Sequence, residues 1–514
     1  MTLIAQTFQG PDVGWFALSP LLVLVGGALA LLLAGALTPT WPRGLYAGFT
    51  VATALATAAL AVVQWDDISD DGPSTLVGRA LAFDTFAQFV TIAICAALIG
   101  VAVLAADQLH AQGNDNPEVY ALALVAAAGG VVMGAANDLI VLFLGLETLS
   151  LAFYVLAASD RRRAESQESG LKYFLLGGFS SAFFLYGVAL LYGSVGSTNL
   201  GEIVDGFDSV IPVERSDALI LAGVALLLVG FAFKVAAVPF HVWTPDVYQG
   251  APTPVTSLLA SVGKVAAMAA LVRVLVVALG HHRDDWRPMI WVLAVASVVV
   301  GSVLAVVQTN VKRMLAYSSI THAGYILVGL EAAAHRAGEA DSGSGVPAIA
   351  FYLLAYAVII TGTFGVVALV ARTGATTAGE GSTDLDDFRG LGRRHPALAL
   401  ALTVFLVAQA GVPFTSGFVA KFGVITAAVD ERSWAIAIIA MVASVIGAFL
   451  YLRILVSAWI QDEPGQGEPR RGSMVTIPFA TGAYLAAAVA FTIFAGVFPG
   501  WLLDLVDQTT QFAR

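Results

Sequence analysis

The sequence is poor in lysine, in charge and in cysteine. Only five of its 514 residues are lysine, against 20 arginines, and 12% are charged. The single cysteine, Cys95, excludes a disulfide within the chain and argues against iron–sulfur ligation. No GxxxxGK[ST] loop and no CxxC or CxxCH motif occurs, so nothing indicates ATP hydrolysis or a bound electron carrier. The first basic residue is Arg43, so the basic start of a cleavable signal peptide is missing.

Apolar residues, in contrast, are abundant. The chain is 58% hydrophobic and its mean hydropathy is +0.83. This predicts an all-α polytopic membrane protein embedded in a lipid bilayer, because a transmembrane helix needs about 20 apolar residues. The net charge of −11 argues against a nucleic-acid partner. About fourteen transmembrane helices are predicted, at 16–37, 44–64, 82–105, 118–136, 138–158, 170–194, 217–238, 254–280, 288–308, 314–331, 347–371, 397–429, 433–459 and 474–503.

Loop charge predicts the orientation, because Lys and Arg concentrate in cytoplasmic loops. Four basic loops fall on one side of the predicted topology, which is therefore the cytoplasmic side. Their residues are Arg161, Arg162, Arg163, Lys312, Arg313, Arg389, Arg393, Arg394, Arg470 and Arg471. On the opposite side, the predicted loops contain the stretch 196–216 and four acidic residues, Asp66, Asp67, Asp70 and Asp71. An even span count then places both termini outside, although Arg283 and Arg287 oppose this assignment.

Two segments resemble each other, VAAVPF at 235–240 and AQAGVPF at 408–414. Each puts a proline inside an apolar span, so predicted helices 7 and 12 should break near Pro239 and Pro413. The two broken helices are five spans apart. Because an odd number of spans reverses the direction in which the chain crosses the membrane, this spacing predicts two inverted five-helix repeats. The predicted division is 1–117 for helices 1–3, 118–280 for helices 4–8, 281–459 for helices 9–13 and 460–514 for helix 14. The alternative is that membrane helices simply tolerate these prolines.

Four of the five lysines lie in or against apolar runs: Lys172, Lys234, Lys264 and Lys421. A charge at the bilayer centre costs roughly 2.5–3.5 kcal/mol on insertion scales, and an amine that sheds its proton avoids part of that cost. Lys264 lies near the middle of its span, where snorkelling to the surface is hardest. Lys172 lies only a few residues into its span, so a snorkelling anchor is an open alternative there.

Glu147 lies in the middle of a predicted span, within GLETLSLAFY. A carboxylate in that place needs a partner or water. Lys234 is the natural counter-ion, and withdrawal of the carboxylate would favour release of the lysine proton. A neutral structural acid at Glu147 and a snorkelling Lys234 are the alternatives.

His322 is the only histidine deep in a predicted span, and imidazole suits a proton shuttle. A core histidine bonded to Ser or Thr explains it equally well. His241 adjoins the first break, where it can relay protons or cap polar backbone. Snorkelling accounts for Arg273 and Arg453, and an interfacial position is expected for a fifth residue, Asp84.

Four segments resemble the antiporter-like membrane subunits of proton-pumping NADH:quinone oxidoreductase, respiratory complex I. The most specific is FKVAAVPFHVWTPDVYQGAPTPVTSLLASVGKVAA at 233–267, where the large subunits of sodium/proton antiporters carry different residues. The others are GLETLSLAFYVLAA at 145–158, TNVKRMLAYSSITHAGYILVG at 309–329 and GVPFTSGFVAKF at 411–422. The resemblance extends over predicted helices 4–13.

The resemblance implies a fold of fourteen helices with two inverted five-helix bundles and broken helices 7 and 12. It implies that Glu147 and Lys234 form a coupling pair, that Lys264 is a central connector and that Lys421 is a distal proton site. Lys172 falls where the family often has a lysine, and His322 falls at a polar position of the second bundle.

By the same resemblance, the chain is a proton-translocating subunit in the bacterial cytoplasmic membrane. Its partners would be the other membrane-arm subunits, including the homologous antiporter-like ones. NADH, FMN, iron–sulfur clusters and quinone would be used by other subunits, and this chain would hold no cofactor. Two rival hypotheses stay open: a subunit of a multisubunit sodium/proton antiporter, and a scaffold whose buried charges only fix helix packing.

Overall fold

The computed structural model describes residues 13–38, 41–42, 44–111, 116–208, 217–339, 343–373, 381–461 and 477–513. Arg43, Arg470 and Arg471, which entered the sequence argument, lie outside these residues. The first half of the chain forms α1 (Ser19–Leu37), α2 (Leu45–Asp71), α3 (Thr85–Ala111), α4 (Pro117–Ala135), α5 (Leu139–Ala157), α6 (Ala164–Val195), α7 (Leu200–Asp208), α8 (Asp217–Val235) and α9 (Trp243–Gly250). A short antiparallel hairpin of β1 (Ser74–Leu76) and β2 (Leu81–Phe83) joins α2 to α3.

One continuous span follows, and it contains two π-helical segments. It consists of α10 (Thr253–Leu258), the π-helix Leu259–Gly263, α11 (Lys264–Val272) and the π-helix Arg273–Ala278. The remaining α-helices are α12 (Arg283–Val306), α13 (Val311–Ala334), α14 (Gly345–Thr373), α15 (Leu391–Arg394), α16 (Pro396–Ala410), α17 (Ser416–Asp430), α18 (Trp434–Trp459), α19 (Phe479–Val497) and α20 (Gly500–Asp507). Three 3₁₀ turns complete the helical structure, at Gly280–His282, Leu385–Phe388 and Gln508–Thr510.

Twelve helices in the described residues are long and apolar enough to cross a membrane, which confirms an all-α polytopic fold. They lie where helices 1–9, 11, 13 and 14 were predicted. The tenth predicted span is α13, whose residues are buried from Met314 to Ala334 and include several polar side chains. The twelfth predicted span is two helices, α16 and α17. The full count of fourteen stays a prediction.

Two local expectations are wrong. The acidic residues 66–71 lie in the last turns of α2, not in a loop, because the helix continues until Gly72 adopts a φ of +86°. Lys312 lies inside α13, not in a loop; it is 1% exposed and its Nζ donates to the Ala251 carbonyl at 2.6 Å. The helix starts before Lys312 because Asn310 caps α13. Within the stretch 196–216, part of the chain forms α7.

The most buried of the described spans runs from Thr253 to Ala278, and all of its residues are buried. The α14 span is also 94% buried. Helices α3, α4, α8, α13 and α14 all pack against the first of these spans. A lysine in this span therefore cannot reach lipid headgroups or water by extending its side chain.

Two matched bridges relate the two predicted bundles. Asp138 caps α5 and pairs with Asn199, which follows α6. Asn310 caps α13 and pairs with Asp384, which follows α14. In both places the N-cap residue of one helix forms a β-bridge with the loop that follows the next long helix. The inverted repeat and the four-part division of the chain stay predictions, which this shared arrangement supports.

Candidate functional site

The first helix break separates α8 from α9. Helix α8 ends at Val235, and α9 begins at Trp243. The carbonyl of Phe233, in the last turn of α8, accepts from the Ala236 amide at 3.1 Å and from the Trp243 indole at 3.0 Å. These bonds satisfy backbone oxygen at a helix end, which would otherwise be costly in an apolar interior. The break expected near Pro239 is present.

Lys234 lies just before this break and is 7% exposed. Its Nζ donates to Ser150 Oγ at 2.6 Å and to the Tyr173 hydroxyl at 3.2 Å. It also lies 5.3–5.9 Å from the ring centroids of Phe153, Tyr154 and Tyr173. The snorkelling alternative for Lys234 is wrong, because the amine points into an aromatic interior and not toward the membrane surface.

Glu147 and Lys234 do not form an ion pair. The Glu147 carboxylate accepts a short hydrogen bond from Ser181, and Lys234 bonds Ser150, one turn further along α5. A cleft between α5, α6 and α8 is lined by Ser150, Ser181 and Lys234. The half-buried Glu147 does not line this cleft itself but bonds Ser181, which does, so each predicted partner contacts a different serine hydroxyl of the cleft.

Lys264 is the first residue after the π-helix Leu259–Gly263 and is 3% exposed. Its Nζ donates to Ser319 Oγ at 2.7 Å and to the Ser319 carbonyl. Tyr356 donates to the same Ser319 hydroxyl at 2.9 Å, and the Tyr248 hydroxyl lies 3.4 Å from it. π-Helical turns occur frequently at functional sites because they rotate the following side chains. Lys264 thus bridges from its own span to α13 of the second bundle.

His322 is held by two tyrosines, so the expectation of a Ser or Thr partner is wrong. Its Nδ1 lies 2.6 Å from the Tyr352 hydroxyl, and its Nε2 lies 3.2 Å from the Tyr451 hydroxyl. Tyr451 also lies 2.6 Å from Ser318, the neighbour of the serine that holds Lys264. Both ring nitrogens therefore face groups that can donate or accept a proton.

The second helix break separates α16 from α17. The Lys421 Nζ donates to the carbonyl of Ala410, the last residue of α16, and to Ser444 Oγ, both at 3.1 Å. It also lies 4.7 Å from the Tyr325 ring centroid. Gly411 has a φ of +86°, and a Cβ there would come within 3.0 Å of the Lys421 side chain. Glycine therefore lets this lysine approach the helix end.

These groups are linked through the interior of the protein, by hydrogen bonds in one part and by aromatic contacts in the other. Hydrogen bonds link Lys264 to Ser319, and the adjacent Ser318 continues through Tyr451 to His322. From Lys234 the connection is aromatic: Tyr173 stacks on Trp243 at 4.5 Å, and Trp243 meets Tyr248 at 6.3 Å. The tyrosines and Trp243 were not predicted as site residues, because aromatic residues are common in any apolar core.

Two predicted site residues lie outside this network. Lys172 is 41% exposed and pairs with Glu168 at 2.6 Å and with Asp246 at 2.7 Å. Asp246 also accepts from Arg313 at 2.6 Å, so Lys172 belongs to an ion-pair cluster, and its role as a snorkelling anchor stays an open alternative. His241 is half-buried in the first break, and its Nδ1 has no hydrogen-bond partner among the described residues.

One further expectation is wrong. Asp84 and Arg273 are fully buried and form a bidentate ion pair with N–O distances of 2.8 and 2.9 Å. Arg273 therefore does not snorkel, and no local signal connects residues that lie 189 positions apart. The interfacial position of Asp84 and the snorkelling of Arg453 stay predictions; Arg453 is half-buried and donates to the carbonyls of Val306 and Gln308 at the end of α12. These arginines anchor helices and stand apart from the lysine series.

Comparison with known proteins gives consistent matches over nearly the whole chain. The family model described as "NADH:quinone oxidoreductase/Mrp antiporter, TM" matches residues 136–447. A protein of Mycobacterium tuberculosis named NADH-quinone oxidoreductase subunit N is 38% identical, covering 98% of this chain and 99% of the relative. Its counterpart in Acidothermus cellulolyticus is 41% identical, covering 99% and 98%.

Solved structures agree with these sequence relatives. A chain of respiratory complex I from Thermus thermophilus with bound Aureothin is 32% identical, with a TM-score of 0.76 over 94% of this chain and 98% of that one. A chain of the Mrp complex from Dietzia sp. has a TM-score of 0.81 over 96% of each chain. At 22% identity, that second likeness shows the fold alone.

Proposed function

Since the chain belongs to the NADH:quinone oxidoreductase/Mrp antiporter family of membrane proteins, we propose that it is the counterpart of subunit N in a bacterial NADH:quinone oxidoreductase. It is a multi-pass subunit of the membrane arm and translocates protons. The observation that carries this function is the series Lys234, Lys264 and Lys421, buried at 3–7% exposure. None of the three has a carboxylate within ion-pair distance in the described residues, so no fixed counter-ion stabilises the charged form of any of them.

Each buried group has a distinct role in this proposal. Lys234 loads a proton in the first bundle, and Glu147 modulates it through the Ser150–Ser181 cleft. Lys264 passes the proton to the second bundle at Ser319. His322 relays it between Tyr352 and Tyr451, and Lys421 is the distal site. Lys172 and His241 lie beside the entry to the first bundle, where they are accessory groups.

The energies match this assignment. Moving one proton against about 100 mV needs roughly 2.3 kcal/mol. A unit charge about 8 Å away contributes roughly 2 kcal/mol at an effective dielectric constant of 20. Movement of one carboxylate such as Glu147 toward or away from a lysine therefore supplies a free energy of the size that one step needs. The drive originates in partner subunits, where NADH, FMN, iron–sulfur clusters and quinone carry the redox chemistry.

The test uses the complete complex purified through this chain and reconstituted into liposomes. We expect NADH oxidation by quinone to be accompanied by proton movement that does not require sodium. A variant in which Lys172, Lys234, Lys264 and Lys421 are all methionine should assemble but lose most of this activity. Normal pumping by that variant would establish the scaffold role instead. Ion exchange without NADH:quinone activity in the purified complex would establish the antiporter role.

A further inference from the structure

Glu331 is a buried acid that the proposed relay does not use. It lies near the end of α13, at the end of the second bundle away from Lys312 and Arg313. Its side chain is 4% exposed. Its Oε1 accepts from Ser433 at 3.0 Å and contacts His335 Nε2 at 3.3 Å. Its Oε2 is buried without a hydrogen-bond partner among the described residues, an expensive arrangement for a carboxylate that serves packing alone.

The neighbouring histidine is positioned by an arginine. Arg287 Nη1 lies 3.2 Å from His335 Nδ1. A guanidinium can only donate, so Nδ1 is the acceptor and the Nε2 side of the ring faces Glu331 Oε1 and Ser433. His335 therefore positions Glu331 Oε1, whereas Glu331 Oε2 has no hydrogen-bond partner among the described residues.

One face of α18 connects this cluster to the distal lysine. Positions 433, 437, 440 and 444 repeat with helical spacing and carry Ser, Ala, Ala and Ser. Ser433 bonds Glu331, and Ser444 bonds Lys421. Between them, the Tyr325 hydroxyl lies 3.4 Å from the Ala440 carbonyl. The distance along the helix from Ser433 to Ser444 is about 16 Å. Between the two serines, that face carries only the buried small side chains of Ala437 and Ala440.

We propose that Glu331 is the proton-exchange group through which the second bundle communicates with the aqueous phase away from the basic loops. This inference rests on the proposed function. A proton leaves the Lys421 ammonium, passes through water along α18 and binds Glu331 Oε2, which makes the acid neutral. The acid then gives the proton to water on its outer side, and the carboxylate is restored. The charged groups at this end include Arg287, Arg336, Glu431 and the Arg283–Glu339 pair, and Arg336 pairs with Glu431 at 2.7 Å.

The first test substitutes Glu331→Gln in the reconstituted complex. Glutamine keeps the shape and a hydrogen bond to Ser433 but cannot exchange the proton. We expect NADH:quinone turnover and proton movement to fall together at least fivefold with normal assembly. The matched control is Glu339→Gln, because Glu339 is half exposed and pairs with Arg283 at the same end of the bundle. That control should retain native turnover within about 1.5-fold.

The second test separates proton exchange from packing. In Glu331→Ala, formate should restore turnover at least twofold, and formamide, which has the same shape but does not titrate, should not. Full activity of Glu331→Gln would overturn the proposal, and so would equal effects of formate and formamide or loss of activity through loss of assembly. If the proposed function itself is wrong, the four-lysine variant also pumps normally. If only this inference is wrong, the four-lysine variant is inactive and Glu331→Gln is active.

Discussion

The two broken helices use their free backbone oxygens differently. At the first break, the indole of Trp243 occupies the Phe233 carbonyl, and Lys234 turns toward hydroxyl groups on α5 and α6. At the second break, Lys421 itself occupies the Ala410 carbonyl. A helix carboxyl end carries partial negative charge and stabilises a nearby cation. The first lysine is thus available to a movable carboxylate, whereas the second is held by fixed backbone. Similar sequence signals, a proline beside small residues, therefore produce two different sites. Lys234 forms a modulated site, which a carboxylate can influence, and Lys421 forms an anchored site, which the backbone holds.

The connector between these two sites should show the largest effect. Lys264→Met removes the one amine that bonds Ser319 from the central span, so neither bundle can pass a proton to the other. We expect NADH:quinone turnover per assembled complex to fall at least tenfold, together with proton movement. Turnover assays on purified complex, normalised to the amount of assembled complex, measure this. A Lys264→Met complex that pumps at half the native rate or better would show that the bundles work independently.

At the modulated site, substitutions of Glu147 and Lys234 should have non-additive effects on turnover. Glu147→Gln and Lys234→Met should each lower turnover about fivefold, because each removes one half of the same charge exchange. The double variant should be no slower than the slower single variant, which corresponds to a coupling energy of roughly 1 kcal/mol. A double-mutant cycle on turnover checks this. Multiplicative losses of about 25-fold would show that the hydroxyl cleft does not connect the two groups.

The anchored site should distinguish charge from proton exchange. We expect Lys421→Met to lower turnover about threefold. Lys421→Arg should lower it by a similar factor, since arginine can still donate to the Ala410 carbonyl but does not release its proton. Recovery of native turnover in Lys421→Arg would show that this lysine only neutralises the helix end.

The smallest effect is expected outside both breaks. Lys172→Met removes a half-exposed lysine from its pairs with Glu168 and Asp246, while Arg313 still holds Asp246. Exposed ion pairs contribute about 0–1 kcal/mol, so turnover should change less than twofold. A loss as large as that of Lys234→Met would place Lys172 inside the proton path and would extend the modulated site to the membrane surface.

Much of the fold and part of the site are predictable from sequence for local reasons. Long apolar runs predict helices, and prolines at 239 and 413 predict interruptions, because both depend on residues close along the chain. The environment of His322 is not predictable in this way, since its tyrosine partners come from α14 and α18. Glu331 was missed for the same reason: its serine partner lies 102 positions away.

The sequence alone determined that this chain spans a membrane, where two of its helices break and that Lys234, Lys264 and Lys421 lie in apolar surroundings. Those properties follow from transfer free energies and backbone chemistry that act residue by residue. The tertiary structure decided what each charge faces. It gave Glu147 and Lys234 different serine partners, joined Lys264 to α13 and paired Asp84 with Arg273. Burial makes each polar group satisfy its hydrogen bonds inside the protein, and packing between distant helices determines which partner is within reach.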